Sequence, residues 1–261
     1  MRIIDTHAHI DLPEFKGEHE RVIRRAREAE VVGIVNVGFD LVSSNRSISL
    51  AKNNDFIWAT VGIHPHEAKS WDQKTADMIK VLAKEQKVVG LGEIGLDFYR
   101  NLSEPDIQRK CFIEQLELAK ELDLPIVIHN RDASGEVMRI IEEHKPKKLL
   151  LHCFSGDMVV ARWAFEKGYL ISFGGSLTYP KNEWLEGIAM AVPSNLILVE
   201  TDCPYLSPVP LRGRRNEPSY IRHTLIKLAN IRKVPIDEIA EITTQNAIRF
   251  FGLELSEQKK K

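Results

Sequence analysis

The sequence has almost no excess charge of either sign. Lys and Arg number 36 against 37 Asp and Glu, a formal net charge of −1 over 261 residues. That balance excludes a protein that grips nucleic acid or an anionic membrane by bulk positive charge, while leaving a local basic groove open. Cysteine is scarce. Cys111, Cys153 and Cys203 make an odd, low count that does not build a disulfide framework. No apolar run approaches the roughly 18 residues of a membrane-spanning helix. Met1-Arg2-Ile3-Ile4-Asp5 has only two consecutive apolar residues before a carboxylate, so no signal peptide is expected. A reduced, cytoplasmic protein with no membrane partner is expected. Interdomain linkers are missing too, since no Pro/Gly/Ser-rich stretch divides the chain. One domain over 1–255 is expected, followed by a basic C-terminal tail at 256–261.

What is present is a recurrence. Short apolar runs begin near Arg2, Gly33, Ile57, Val88, Pro125, Lys148, Gly168 and Leu196, spaced 20 to 37 residues apart. Near-continuous apolar runs such as Leu149-Leu150-Leu151 suit parallel strands covered on both faces. Between them lie charged segments with helical period. One spans 18–30; a clearer one spans 106–122, with Phe112, Leu116, Ala119 and Leu122 on one face. Ser103-x-x-Asp106 reads as N-terminal punctuation for the second. Eight strand–helix units in this length predict an α/β fold, a TIM-type (β/α)8 barrel. A doubly wound open sheet alternates in the same way and is the competing architecture. The longest stretch without a period, 204–218, follows the last strand and carries Arg212, Arg214 and Arg215. Long loops inside compact domains are usually functional.

Metal-binding residue types gather where the strands end. Six of the nine histidines do so: His7, His9, His64, His66, His129 and His152. Glu93 ends the fourth strand, and Glu200 and Asp202 end the eighth. The carboxyl-end face is where barrel active sites are built. Strand residues i and i+2 project to one side, so His7 and His9 point together. A lone buried His is ordinarily a packed core residue. Several strand ends offering His, and two offering carboxylates, point instead to metal. Such donors suit Zn, Mn, Fe, Co or Ni, with Mg where carboxylates dominate. Six ligands are too many for one four-coordinate zinc, and a pair of metals bridged by a carboxylate accounts for all six. Glu93 is the candidate bridge; Asp202 can bind a metal and hold the attacking water. Glu200 and Asp5 read as buried acceptors orienting His ligands. Cys153 and Cys203, odd in parity to His152 and Asp202, read as packed thiols directed away from the metals.

Eight motifs stand in order over nearly the whole chain: Asp5-Thr-His7-Ala-His9, Gly62-Ile-His64-Pro-His66, Gly92-Glu93-Ile-Gly-Leu-Asp97-Phe-Tyr99, Gln108-Arg-x-x-Phe112, His129-Asn-Arg131-Asp-Ala, His152-Cys-Phe-Ser-Gly156, Glu200-Thr-Asp202-Cys-Pro-Tyr205 and Asn246-Ala. In this order they resemble the TatD-type metal-dependent deoxyribonucleases of the amidohydrolase-like barrels. The resemblance implies two divalent ions per subunit. His7, His9, Glu93 and Asp202 would hold one, and Glu93, His129 and His152 the other. It implies magnesium dependence, whereas the ligand set is chemically closer to zinc, manganese or nickel. The implied activity is phosphodiester hydrolysis of DNA, as a 3′-5′ exonuclease on single strands.

The expected mechanism is attack by a metal-bound hydroxide. Asp202 is expected to take the proton from the water and Glu93 to bridge the ions, which makes these two the catalytic residues. His64 is placed at a phosphate oxygen or the leaving group. Arg131 is expected to clamp a phosphate bidentately, against the alternative of a salt bridge with Asp132 or Glu136. Arg212 and Arg214 are expected to form a phosphate funnel. Phe98-Tyr99-Arg100 can stack a base and meet a phosphate. The same hydroxide attacks carbonyls, so an ester or amide hydrolase, such as a D-aminoacyl-tRNA deacylase or a lactonase-like enzyme, is the alternative. A metal-stabilised binding scaffold without catalysis is a third reading. Two dications with a bridging hydroxide bring the chain to about +2, concentrated at one barrel mouth. Single-stranded DNA ends are therefore expected to bind weakly, by capture of one phosphate.

Overall fold

The computed structural model describes residues 1–255; the expected tail at 256–261 lies outside the described residues. Eight strands pair in parallel in sequence order: β1 (Ile3–Ala8), β2 (Val31–Val37), β3 (Ile57–Val61), β4 (Val88–Asp97), β5 (Ile126–Arg131), β6 (Leu149–Leu151), β7 (Leu170–Phe173) and β8 (Ile197–Val199). The strand starts read from the sequence fall within two residues of these. Each of the first seven strands is followed by one helix: α1 (His19–Glu28), α2 (Leu41–Lys52), α3 (Gln73–Leu82), α4 (Pro105–Glu121), α5 (Ser134–His144), α6 (Met158–Lys167) and α7 (Trp184–Ala191). The eighth is followed by two, α8 (Ile221–Arg232) and α9 (Ile236–Phe251). The neighbour order and alternation make a (β/α)8 barrel and dismiss the open sheet.

The apolar runs become strands because helices cover their outer faces and side chains fill the interior. Leu149, Leu150 and Leu151 are all buried, as are Ile3, Ile34, Ile57 and Leu91. Each such side chain contributes roughly 1.5–3 kcal/mol on leaving water. Ser103 does not cap α4. The N-cap is Glu104, without a side-chain bond, and Pro105 opens the first turn, where its missing N–H costs nothing. The Ser103 hydroxyl instead donates to the His66 carbonyl at 2.9 Å.

Closure between β8 and β1 is made by residues just past Val199. Asp202 N–H donates to His7 O and His9 N–H to Cys203 O, each at 2.9 Å. Thr6 Oγ1 donates to Val199 O at 2.9 Å. Buried Asp5 accepts from the Thr201 N–H at 2.9 Å and the Thr201 hydroxyl at 2.6 Å. Asp5 therefore ties the seam and does not orient a histidine ring, because its side chain faces β8. On the other flank, Gly95 has φ of 142°, and a β-carbon there would lie 2.0 Å from the His129 carbonyl oxygen. Only glycine lets β4 and β5 approach closely enough to bring Glu93 to His129.

Candidate metal centre

Glu93 projects from β4 into the carboxyl-end mouth, and its two oxygens face different neighbours. Oε1 lies 2.6 Å from His129 Nδ1, 2.7 Å from His152 Nε2 and 3.4 Å from His64 Nε2. Oε2 lies 3.4 Å from His7 Nε2 and 3.9 Å from His9 Nε2. Asp202 Oδ1 lies 3.6 Å from His9 Nε2 and 3.9 Å from His7 Nε2. The fold thus brings together all six residues expected to bind metal. Three groups have metal-ligand spacing: His7, His9 and Asp202; His7, Glu93 and His152; His64, Glu93 and His129.

The ring nitrogens are set by their partners. His9 Nδ1 lies 2.9 Å from the Val37 carbonyl. A carbonyl only accepts, so Nδ1 carries a proton and Nε2 is the nitrogen turned to the centre. His64 is the reverse case. Its Nδ1 accepts from the His66 N–H at 3.1 Å. The neutral ring then carries its proton on Nε2 and presents a donor to the centre. His152 Nδ1 lies 3.4 Å from Glu200 Oε1, the placement expected for Glu200, while Glu200 Oε2 accepts from Ser172 at 2.5 Å.

The electrostatics favour ionised carboxylates. Burial works to raise the Glu93 pKa, but the facing His152 and His64 and hydrogen bonds from His129 and His152 hold it well below the usual carboxylate range. Burial works against Asp202 too, and is outweighed by the His9 hydrogen bond and the facing His7 and His152. Burial pushes His64 down to about 4, keeping it neutral. His7 Nε2 and His9 Nε2 face each other at 3.2 Å, beside carboxylate oxygens of Glu93 and Asp202 within 4 Å. Imidazole nitrogens and anionic oxygens converging in a buried space are the chemistry of a divalent-cation site.

Except for His7, which lies deeper, these groups line a cavity of about 760 Å³. Arg131 lines it as well, its guanidinium 4.0 Å over the Tyr99 ring, and so does Arg100. Glu136, one alternative partner of Arg131, is engaged by Arg109 at 2.7 Å and Arg139 at 3.0 Å. Arg212 and Arg214 are exposed and lie outside the cavity wall, Arg212 being 4.5 Å over the Tyr179 ring. Arg215 pairs with Glu18 at 2.9 Å and stacks on Phe15. Cys203 is buried as expected. Cys153 is only partly buried and lines the cavity. β6 ends at Leu151 and Cys153 has φ of 42°, so strand parity no longer governs its direction. Neither thiol belongs to a metal-spaced group among the described residues.

The roles of three residues escaped the sequence reading. Buried Asp97 Oδ2 lies 2.8 Å from His66 Nε2 and 3.2 Å from His129 Nε2. Its signal was position, four residues beyond Glu93 on the same side of one strand. Two buried glutamines of α4, seven apart on one face, grip the backbone beside the centre. Gln108 accepts from Asp97 N–H at 2.9 Å and donates to Asp97 O at 3.1 Å. Gln115 accepts from Ile63 N–H at 2.8 Å and donates to Ile63 O at 2.9 Å.

A family model described as TatD related DNase matches residues 4–252. The chain belongs to the TatD-related DNase family. Metal-dependent hydrolase YabD of Bacillus subtilis is 40% identical over 253 residues, covering 96% of this chain and 99% of that protein. The 3′-5′ ssDNA/RNA exonuclease TatD of Erwinia amylovora is 34% identical over 259 residues, covering 96% and 100%. Among solved structures, the TatD homologue YJJV of Escherichia coli K12 matches with a TM-score of 0.92 at 30% identity, covering 97% of this chain and 99% of that one. As a TatD-related DNase the chain is a metal-dependent hydrolase. No helix among the described residues is long and apolar enough to cross a membrane.

Proposed function

We propose that this TatD-related DNase removes nucleotides from 3′ ends of single-stranded DNA with two divalent cations. His7, His9, Asp202 and Glu93 would hold one, and Glu93, His129 and His152 the other, within the barrel of residues 1–255. The observation that carries this reading is the division of Glu93, whose Oε1 faces His129 and His152 while Oε2 faces His7 and His9. Bound cations supply an acidified water and polarise a phosphoryl oxygen. The imidazole-rich donor set favours manganese, nickel or zinc over magnesium.

The chain's own residues do the rest. Asp202, ionised and lining the cavity, accepts the proton of the attacking water as general base. His64, neutral with its proton on Nε2, donates to a phosphate oxygen. Arg131, steadied by the Tyr99 ring, clamps the phosphate through its N–H edge. Two guanidiniums in the wall, Arg100 and Arg131, favour a phosphodiester over a neutral carbonyl ester. Arg212 and Arg214 serve a longer strand beyond the cavity. So few phosphate contacts give weak, salt-sensitive binding. The three free thiols, Cys111, Cys153 and Cys203, suit the reduced cytoplasm.

The test is hydrolysis of a 3′-labelled single strand by metal-free protein and by protein reloaded with Mg, Mn, Zn or Ni. Cleavage in at least one reloaded sample, lost in Asp202→Asn, is the expected result. No cleavage with any of the four contradicts the nuclease reading, and full turnover by Asp202→Asn contradicts its role as base.

A further inference from the structure

The cavity wall carries two aromatic rings that the folded chain leaves half open. Tyr205 is 52% exposed and Trp184 47%, and both line the cavity of the metal centre. Neither polar tip has a hydrogen-bond partner among the described residues. Two other aromatic tips are satisfied inside the fold: Trp163 Nε1 donates to Glu142 at 2.8 Å and Tyr169 OH to Pro146 O at 3.1 Å. Both rings therefore present an open face to the cavity of the metal centre.

Tyr205 is nonetheless firmly placed. Its N–H donates to Asp202 O at 2.9 Å. Its carbonyl accepts from the buried Asn216 amide at 2.7 Å, and the same amide holds Thr201 O at 2.8 Å. One turn of backbone thus fixes both Asp202 and this ring, whose centroid lies 6.3 Å from that of His9. A flat, uncharged face one ring's width from a phosphate-binding centre matches the layout of a nucleotide, whose base hangs one sugar away from its phosphate. Trp184 opens α7 and adds a second such face to the same wall.

We propose that Tyr205 and Trp184 form a nucleobase-stacking subsite that receives unpaired bases while the scissile phosphodiester sits at the metal centre. The proposal rests on the nuclease reading and deepens it. Stacking on aromatic faces tolerates every base and requires unstacked, unpaired ones, so this subsite selects single-stranded ends irrespective of sequence. A centre that reads only the phosphate accepts an end without a base equally well.

The experiment compares two single strands, one ending in ordinary nucleotides and one whose terminal positions are abasic tetrahydrofuran units, using metal-loaded wild type, Tyr205→Ala, Trp184→Ala and Tyr205→Phe. The reading is the ratio of kcat/KM for the two strands, which is internal to each preparation, so loss of folded protein cancels. Wild type is expected to prefer the base-bearing strand by roughly 5- to 150-fold, the range that one stacked base supplies. Each alanine variant should shrink that ratio by about tenfold or to unity, mainly through KM, and Tyr205→Phe should retain it. A wild-type ratio near one, or alanine variants that keep the wild-type ratio, overturns the subsite while leaving the nuclease reading intact. A wild type that cleaves neither strand with any metal overturns the nuclease reading and the subsite with it.

Discussion

The two sides of the centre are held by different kinds of partner. On the β1–β8 side, His9 is oriented by the Val37 carbonyl, and Asp202 sits on a left-handed turn, φ 55°, beyond the end of β8. On the β4–β6 side, His129 and His152 lie against carboxylates, Asp97 at 3.2 Å and Glu200 at 3.4 Å. A carboxylate partner raises the basicity of an imidazole ligand more than a carbonyl does. The comparison therefore assigns the two sides unequal tasks. On the two-cation proposal, the β4–β6 side would bind its cation more tightly and anchor the substrate phosphate, and the β1–β8 side would bind more loosely and carry the general base. Glu93 belongs to both.

Glu93→Gln is the substitution that breaks the comparison outright. With no carboxylate shared between the sides, kcat/KM should fall by at least about a thousandfold, which steady-state hydrolysis measures. Asp202→Asn should break one side only. Its kcat should fall by about 10²- to 10⁴-fold, the range for a general base, while the β4–β6 cation stays bound. Asp97→Asn and Glu200→Gln sharpen the contrast from the other side. Each should weaken one cation by roughly 10- to 100-fold in a metal titration and leave the second unchanged. Equal weakening of both cations would remove the basis for calling the sides different.

The fold and the gathering of the six expected ligands at one barrel mouth were legible because they rest on local regularities. A strand repeats its apolar run, and a barrel puts chemistry at strand ends, so His7, Glu93, His129, His152 and Asp202 announced themselves by position. What was not legible depends on where strands stop and which side chains reach across. Parity directed Cys153 away from the cavity, but β6 ends two residues earlier and the chain turns left-handed there. Asp97 stood in a recognised motif, yet its role depends on His66 and His129 arriving from other strands. The basic run after β8 read as a funnel; in the fold Arg215 is spent on Glu18, and Arg212 and Arg214 stand outside the cavity. Gln108 and Gln115 gave no local sign of gripping backbone across an interface.

Those glutamines offer a smaller effect that also divides by side. Gln115→Leu strands the buried Ile63 N–H and C=O and should cost about 1–3 kcal/mol in urea unfolding. The smallest effect belongs to Arg25, which makes a two-pronged bridge to Glu217 at 2.5 and 2.7 Å and so ties α1 to the loop after β8. Burial works to raise the Glu217 pKa, but the Arg25 and Ser219 hydrogen bonds lower it below its ordinary 4.5. A depressed carboxylate pKa adds stability above the unfolded value, lost as pH falls through the folded one. Arg25→Ala should therefore cost about 1 kcal/mol or less at pH 7, Arg25 being partly exposed, and nothing once Glu217 is protonated. Urea midpoints at neutral and acid pH compare the two.

The central claim is that Glu93 joins two cation positions, and counting metal tests it most directly. Wild type and Glu93→Gln are loaded with Mn²⁺, freed of excess by gel filtration and analysed by mass spectrometry for metal per chain. The account predicts two ions per wild-type chain and fewer than one in Glu93→Gln. A single ion in wild type, or two retained without the Glu93 carboxylate, would contradict it.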